Sequence, residues 1–134
     1  MKIQQITVEP DPYGPFRLAQ GYRVGDFLFI SGQASIDAQG RIVGVGDFEA
    51  QAKQAFENLD RVLRAGGSSL TNVIKVTIFL TDMRYFDRIV DLRGQWFTPP
   101  YPADTIVEVS SLYSPDAMIE IEAIAVADEA AERN

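Results

Sequence analysis

The chain has 134 residues, a formal net charge of −7 and 46% hydrophobic residues, and it contains neither histidine nor cysteine. Without those two residue types it builds no Ser-His-Asp or Cys-His triad, no thiolate nucleophile, no His/Cys zinc site and no disulfide, while its apolar content suits one domain, residues 1–134, with its own core. The acidic balance works against nonspecific nucleic-acid binding and no run approaches ~18 consecutive apolar residues, so the reading is a soluble, cytoplasmic protein with no nucleic-acid or membrane partner.

In chain order, Lys2 to Val8 reads as a short strand, and Glu9 to Pro15, with three prolines and a glycine, reads as a loop. A second strand is expected from Phe16 to Arg23, a turn at Gly25-Asp26, and a return strand Phe27-Leu28-Phe29-Ile30-Ser31-Gly32, apolar on both faces and therefore internal to a sheet. Ala38 to Arg41 is a surface turn. From Phe48, apolar residues at Ala52, Ala55, Phe56, Leu59, Val62 and Leu63 trace one stripe of a helix, capped by Asp47 and stopped by a left-handed Gly66-Gly67. The segment Gly44 to Asp47 lacks the third glycine and the Lys-Ser/Thr of a phosphate loop and reads as a turn.

Asn72 to Leu80 follows as a strand whose Ile74, Val76, Ile78 and Leu80 form an apolar face for the helices to cover. Asp82 caps a second helix with Phe86, Ile89, Val90, Trp96 and Phe97 as its stripe. Arg93 falls within that stripe, so its guanidinium needs an acid, a carbonyl or water. Two acid-bearing strands come last, Pro102 to Val109 and Met118 to Val126. By alternation Asp104 and Glu108 share one face, and so do Glu120 and Glu122. Ala127 to Asn134 reads as a tail, helical or disordered. The element order gives an α+β protein with both helices on one face of the sheet. The other face, expected to carry Lys75, Thr77, Glu108, Glu120 and Glu122, suits burial against other subunits or, alternatively, solvent. Asp37 and Asp47 are not brought near the strand acids by any spacing, so no metal site is expected.

Six segments in order resemble the Rid superfamily (YjgF/YER057c/UK114): Gly14-Pro15-Phe16, Phe29 to Gln33, Gln54 to Leu59, Ala65 to Leu70, Phe79 to Met83 and Ile119 to Ala125. The resemblance implies a chorismate-mutase-like fold of the Bacillus type, a six-stranded sheet with two helices on one face. It further implies a homotrimer whose sheets form a barrel, with small-molecule pockets between subunits. It also implies hydrolysis of enamines or imines such as 2-aminoacrylate to a keto acid and ammonia without metal or organic cofactor. A pocket arginine would hold the substrate carboxylate, and a glutamate on the last strand would orient water.

Carried over by position, Glu120 is the water-orienting, catalytic glutamate and Gly32 the glycine whose backbone meets the ligand. The family's Pro-Ala-Arg-Ser reads Pro102-Ala103-Asp104-Thr105, so Asp104 stands where the arginine is expected; Ile106 takes the place of a frequent cysteine, and Val90 that of an asparagine. Substrate-binding candidates are therefore Gly32, Asp104, Ile106, Phe16 and two arginines that could compensate, Arg17 and Arg93. Either Asp104 selects a neutral or cationic ligand, or it pairs with one of those arginines. The expected function is hydrolytic deamination or a related water addition; the alternative is a noncatalytic ligand-binding or regulatory trimer.

Overall fold

A computed structural model describes residues 1–132. Its strands are β1 (Ile3–Ile6), β2 (Gly21–Val24), β3 (Phe27–Ala34), β4 (Val73–Leu80), β5 (Ala103–Glu108) and β6 (Ile119–Val126), with helices α1 (Phe48–Ala65) and α2 (Phe86–Trp96). They form a six-stranded sheet in the order β1-β2-β3-β6-β4-β5, antiparallel throughout except for the β4–β5 pair. Because β6 runs against both β3 and β4, those two are parallel to each other. The chain thus makes two parallel crossovers, β3-α1-β4 and β4-α2-β5, both stepping toward the β5 edge. The right-handed preference of such connections puts both helices on the same face.

That face holds the core. Phe48, Ala52, Ala55, Phe56, Leu59, Val62 and Leu63 of α1 are all buried, packed with Leu28, Ile30, Val76, Ile78, Leu80, Ile119 and Ile121 of the sheet. Asp47 accepts the Ala50 N–H at the helix start, and Gly67, at φ 88°, supplies the left-handed exit, while Gly66 keeps a right-handed conformation. The two helices are joined by aromatic contacts: Phe56 stacks on Trp96 at 5.2 Å and meets the edge of Phe97 at 5.8 Å. No helix among the described residues is long and apolar enough to cross a membrane.

Several expectations are corrected. The second strand begins only at Gly21, because Gly14–Phe16 closes a 3-10 turn that Arg17 leaves in the left-handed region at φ 61°. In β4 the register slips between Val73 and Lys75, an extra residue that turns Val73 into the core and leaves Ile74 exposed. In α2 the buried stripe is Ile89 and Leu92, continued by Phe97, whereas Phe86 and Val90 are exposed on a flank. Asp82 caps a 3-10 turn, Met83–Tyr85, that leads into the helix. Glu108 lies on the helix side, opposite the core residue Leu80, and accepts the Met83 N–H at 2.8 Å. Beyond β6, Asp128–Ala130 forms a 3-10 turn tied to Ser69 and Asn72 through the Asp128 carboxylate; Arg133 and Asn134 of the expected tail lie outside the described residues.

Candidate functional site

The sequence candidates separate into two groups on opposite faces of the sheet. Asp104 stands opposite Val76 in the β4–β5 register, on the helix side; Glu120 stands opposite Phe79, whose side chain points away from the helices. Two strand spacings, about 10 Å in all, and the thickness of the sheet lie between them.

Around Glu120 the geometry comes from a bulge. Between Ile30 and Gln33 of β3 an extra residue breaks the pairing with β6, and Gly32 falls there beside Glu120. A Cβ on Gly32 would lie 2.7 Å from the Glu120 Oε1, so the missing side chain is the space the carboxylate occupies. The loop before β2 is fastened onto the same bulge: the Tyr13 hydroxyl donates to the Gly32 carbonyl at 2.6 Å, and the Ser31 hydroxyl donates to the Ala19 carbonyl at 2.6 Å. Gln20, buried at the loop's end, donates to Val8 O and Asp11 Oδ1 and accepts from Val8 N. This loop carries Phe16 and Arg17, both exposed; the Phe16 ring meets the edge of Tyr113 at 6.2 Å.

Electrostatics tie these groups together. Burial, and then the charge of Glu122 two residues on, push the Glu120 carboxyl above the usual range. Burial foremost and the Glu120 charge next push the Tyr13 and Tyr113 phenols up, so both stay protonated. Tyr13 and Tyr113 were missed from sequence. Tyr13 was hidden in a proline-rich loop, and Tyr113 lies in the β5–β6 connection, where no periodicity indicates direction. A cleft of about 210 Å³ between Tyr13, Gln33 and Arg61 lies behind the loop and does not include Glu120.

The second group sits at the β5 edge. Arg93 of α2 donates from Nε to Asp104 Oδ2 at 2.8 Å, and its Cζ lies 6.0 Å from the centre of the Phe86 ring. Asp104 Oδ1 is enclosed and has no hydrogen-bond partner among the described residues. Beside the pair opens a cleft of about 370 Å³ walled by Val90, Gly94, Phe97, Tyr101 and Pro102. Ile106 shares the face of Asp104 but packs against the core. Among the described residues no cluster of three or more acids could hold a metal ion; Asp37 and Asp47 are occupied with turn and cap hydrogen bonds.

An α+β sheet with both helices on one face is the fold of a class of small proteins of known structure. The RidA protein of an Antarctic Psychrobacter superposes with a TM-score of 0.84 at 32% identity, covering 92% of this chain and 98% of that one. The family model described as Endoribonuclease L-PSP matches residues 6–127, and the chain belongs to that family, the Rid/YjgF superfamily, with its chorismate-mutase-like fold. Among its relatives, a RutC family protein of Pyrococcus horikoshii is 43% identical over 87% of this chain and 90% of that protein. A 2-iminobutanoate/2-iminopropanoate deaminase of Bos taurus is 37% identical over 93% of this chain and 89% of that protein.

Proposed function

We propose that this protein hydrolyses the C=N bond of small imines or enamines, in a cleft formed where subunits of a homotrimer meet. The observation that carries the reading is the Glu120 carboxyl, held at the Gly32 gap with a raised proton affinity and two phenols nearby. An imine carbon is already electrophilic and needs chiefly positioning, a water and proton transfer. Glu120, ionised, takes a proton from water as its oxygen bonds to that carbon. It passes that proton to the nitrogen to give the carbinolamine, and then moves the carbinolamine hydroxyl proton to the nitrogen as the C–N bond breaks and the C=O bond forms, so that imine and water become carbonyl compound and ammonia. The relatives named as 2-iminobutanoate/2-iminopropanoate deaminases support this chemistry.

The separation of the two groups supports an assembly of subunits. A small ligand cannot touch Glu120 and the Asp104 edge of the same chain through the sheet. It can touch both if the β5 edge of one subunit meets the outer face of the next. That outer face carries an uncovered apolar strip, with Tyr22, Phe27, Phe29 and Ile74 each at least 42% exposed, beside Lys75, Thr77 and Glu122.

The test generates imines in place with an amino-acid oxidase and follows keto-acid or semicarbazone formation. Acceleration by the protein is expected. Glu120→Gln should lower kcat by roughly 100-fold or more, and the acid limb of the wild-type pH profile should lie above the ordinary carboxylate range because the ionised form is the base. No acceleration of any imine removes the reading in favour of noncatalytic ligand binding at the same clefts, whereas unchanged turnover in Glu120→Gln removes Glu120 from the chemistry.

A further inference from the structure

At position 104 the chain places an acid on the strand, yet what that acid presents to the cleft is a cation. Arg93 uses Nε on Asp104; among the described residues neither Nη1 nor Nη2 makes a hydrogen bond. The Arg93 side chain is 25% exposed, at the wall of the cleft of about 370 Å³. Asp104 turns its second oxygen inward, where it is enclosed, so no free carboxylate oxygen faces a ligand. The Asp104 hydrogen bond holds one edge of the guanidinium, and the Phe86 ring lies near it, its centre 6.0 Å from Cζ. A fork held in this way and left open at its end matches the two oxygens of a carboxylate, and little ordering is left for the ligand to impose. Beside it, Gly94 has no atom within 4 Å of where a Cβ would be, which leaves the approach open.

We infer that Arg93, positioned by Asp104, is the specificity-determining residue that receives the carboxylate of the substrate, so that the anion site of this chain is carried by α2. This rests on the reading of the Glu120 cleft as the place of imine hydrolysis, and it names the substrate class as imines bearing a carboxylate beside the C=N carbon. Asp104 neither selects a cationic ligand nor repels an anionic one; it is the counter-ion that aims the guanidinium.

The carboxylate could belong to a small molecule or to an acidic side chain of a second copy, and the experiment separates these. Calorimetric titration of the wild-type protein with 2-oxobutanoate and with its neutral amide, 2-oxobutanamide, should give binding of the acid and weaker binding of the amide. Arg93→Gln should weaken binding of the acid, and raise KM for the corresponding imino acid, by roughly 10- to 100-fold, the effect of removing a charged hydrogen-bond partner. Arg93→Lys should recover part of it. Size-exclusion chromatography should show the same assembly for all three proteins. Equal binding of acid and amide, an unchanged affinity in Arg93→Gln, or loss of the assembly in that variant each overturns the inference, the last by giving Arg93 a partner in another copy. Should Arg93→Gln fail to fold, the comparison of acid with amide on the wild-type protein still decides. If 2-oxobutanoate binds through Arg93 while no imine is hydrolysed, the anion site stands and the deaminase reading falls. If imines are hydrolysed equally by wild type and Arg93→Gln, the deaminase reading stands and the anion site falls.

Discussion

At the scale of single residues, the proposed chemistry rests on Gly32 and Glu120. Their relation is steric: the added Cβ of Gly32→Ala would meet the far end of a flexible glutamate, 2.7 Å from Oε1. The backbone there does not demand glycine, so the fold tolerates alanine, and the carboxylate moves instead. Gly32→Ala should therefore change stability by less than about 1 kcal/mol in a urea titration. It should lower kcat for imine hydrolysis on the order of 10- to 100-fold, the penalty of misplacing a reacting group. A variant that is fully active would mean that Glu120 does not need this gap. Both residues could be named from sequence because a motif marked them. Asp104 was equally visible as a departure from that motif, but its meaning was not, since the direction of a guanidinium eleven residues upstream depends on how a helix lies on a strand.

At the scale of elements, the sequence carried what repeats and lost what interrupts repetition. The α1 stripe was legible residue by residue, because a 3.6-residue period maps directly onto one buried face. In α2 the stripe was legible in part: Ile89 and Phe97 are buried as expected, but Leu92 was missed, and Phe86 and Val90 lie exposed on a flank where Val90 and Arg93 face a cleft. Two extra residues, in β3 and β4, were illegible for a related reason: alternation is read by counting, and a bulge changes the count. The junction of α1 with the sheet gives a further test. A Cβ at Gly66 would lie 2.5 Å from Leu28 Cδ2 and 2.6 Å from Ile6 Cδ1, both in packed core, although its φ of −90° suits any residue. Gly66→Ala should thus cost about 1–3 kcal/mol by overpacking, seen as a lower urea midpoint with an unchanged slope. No loss would show that β1 yields easily at that edge.

At the scale of the whole molecule, one sheet face is covered by two helices, while the other leaves an apolar strip uncovered among the described residues. On the bare face Phe29 stands opposite Tyr22 on one side and Ile124 on the other, an apolar strip that water alone would cover in a monomer. On the proposed assembly, replacing Phe29 by Glu should yield a monomer by size-exclusion light scattering and abolish the proposed imine hydrolysis, since Glu120 would lose the neighbouring β5 edge; a variant that keeps the wild-type assembly would place the interface elsewhere. The sequence by itself determined the class of fold, the two amphipathic helices, the family and the candidate acid, because hydrophobic period and local motif are properties of neighbours along the chain. The tertiary structure alone decided that Asp104 and Glu120 lie on opposite faces, that Asp104 is neutralised by Arg93, and that Tyr13 and Tyr113 join Glu120. Those relations depend on strand register, bulges and the docking of α2, which bring together residues that no spacing in the sequence connects.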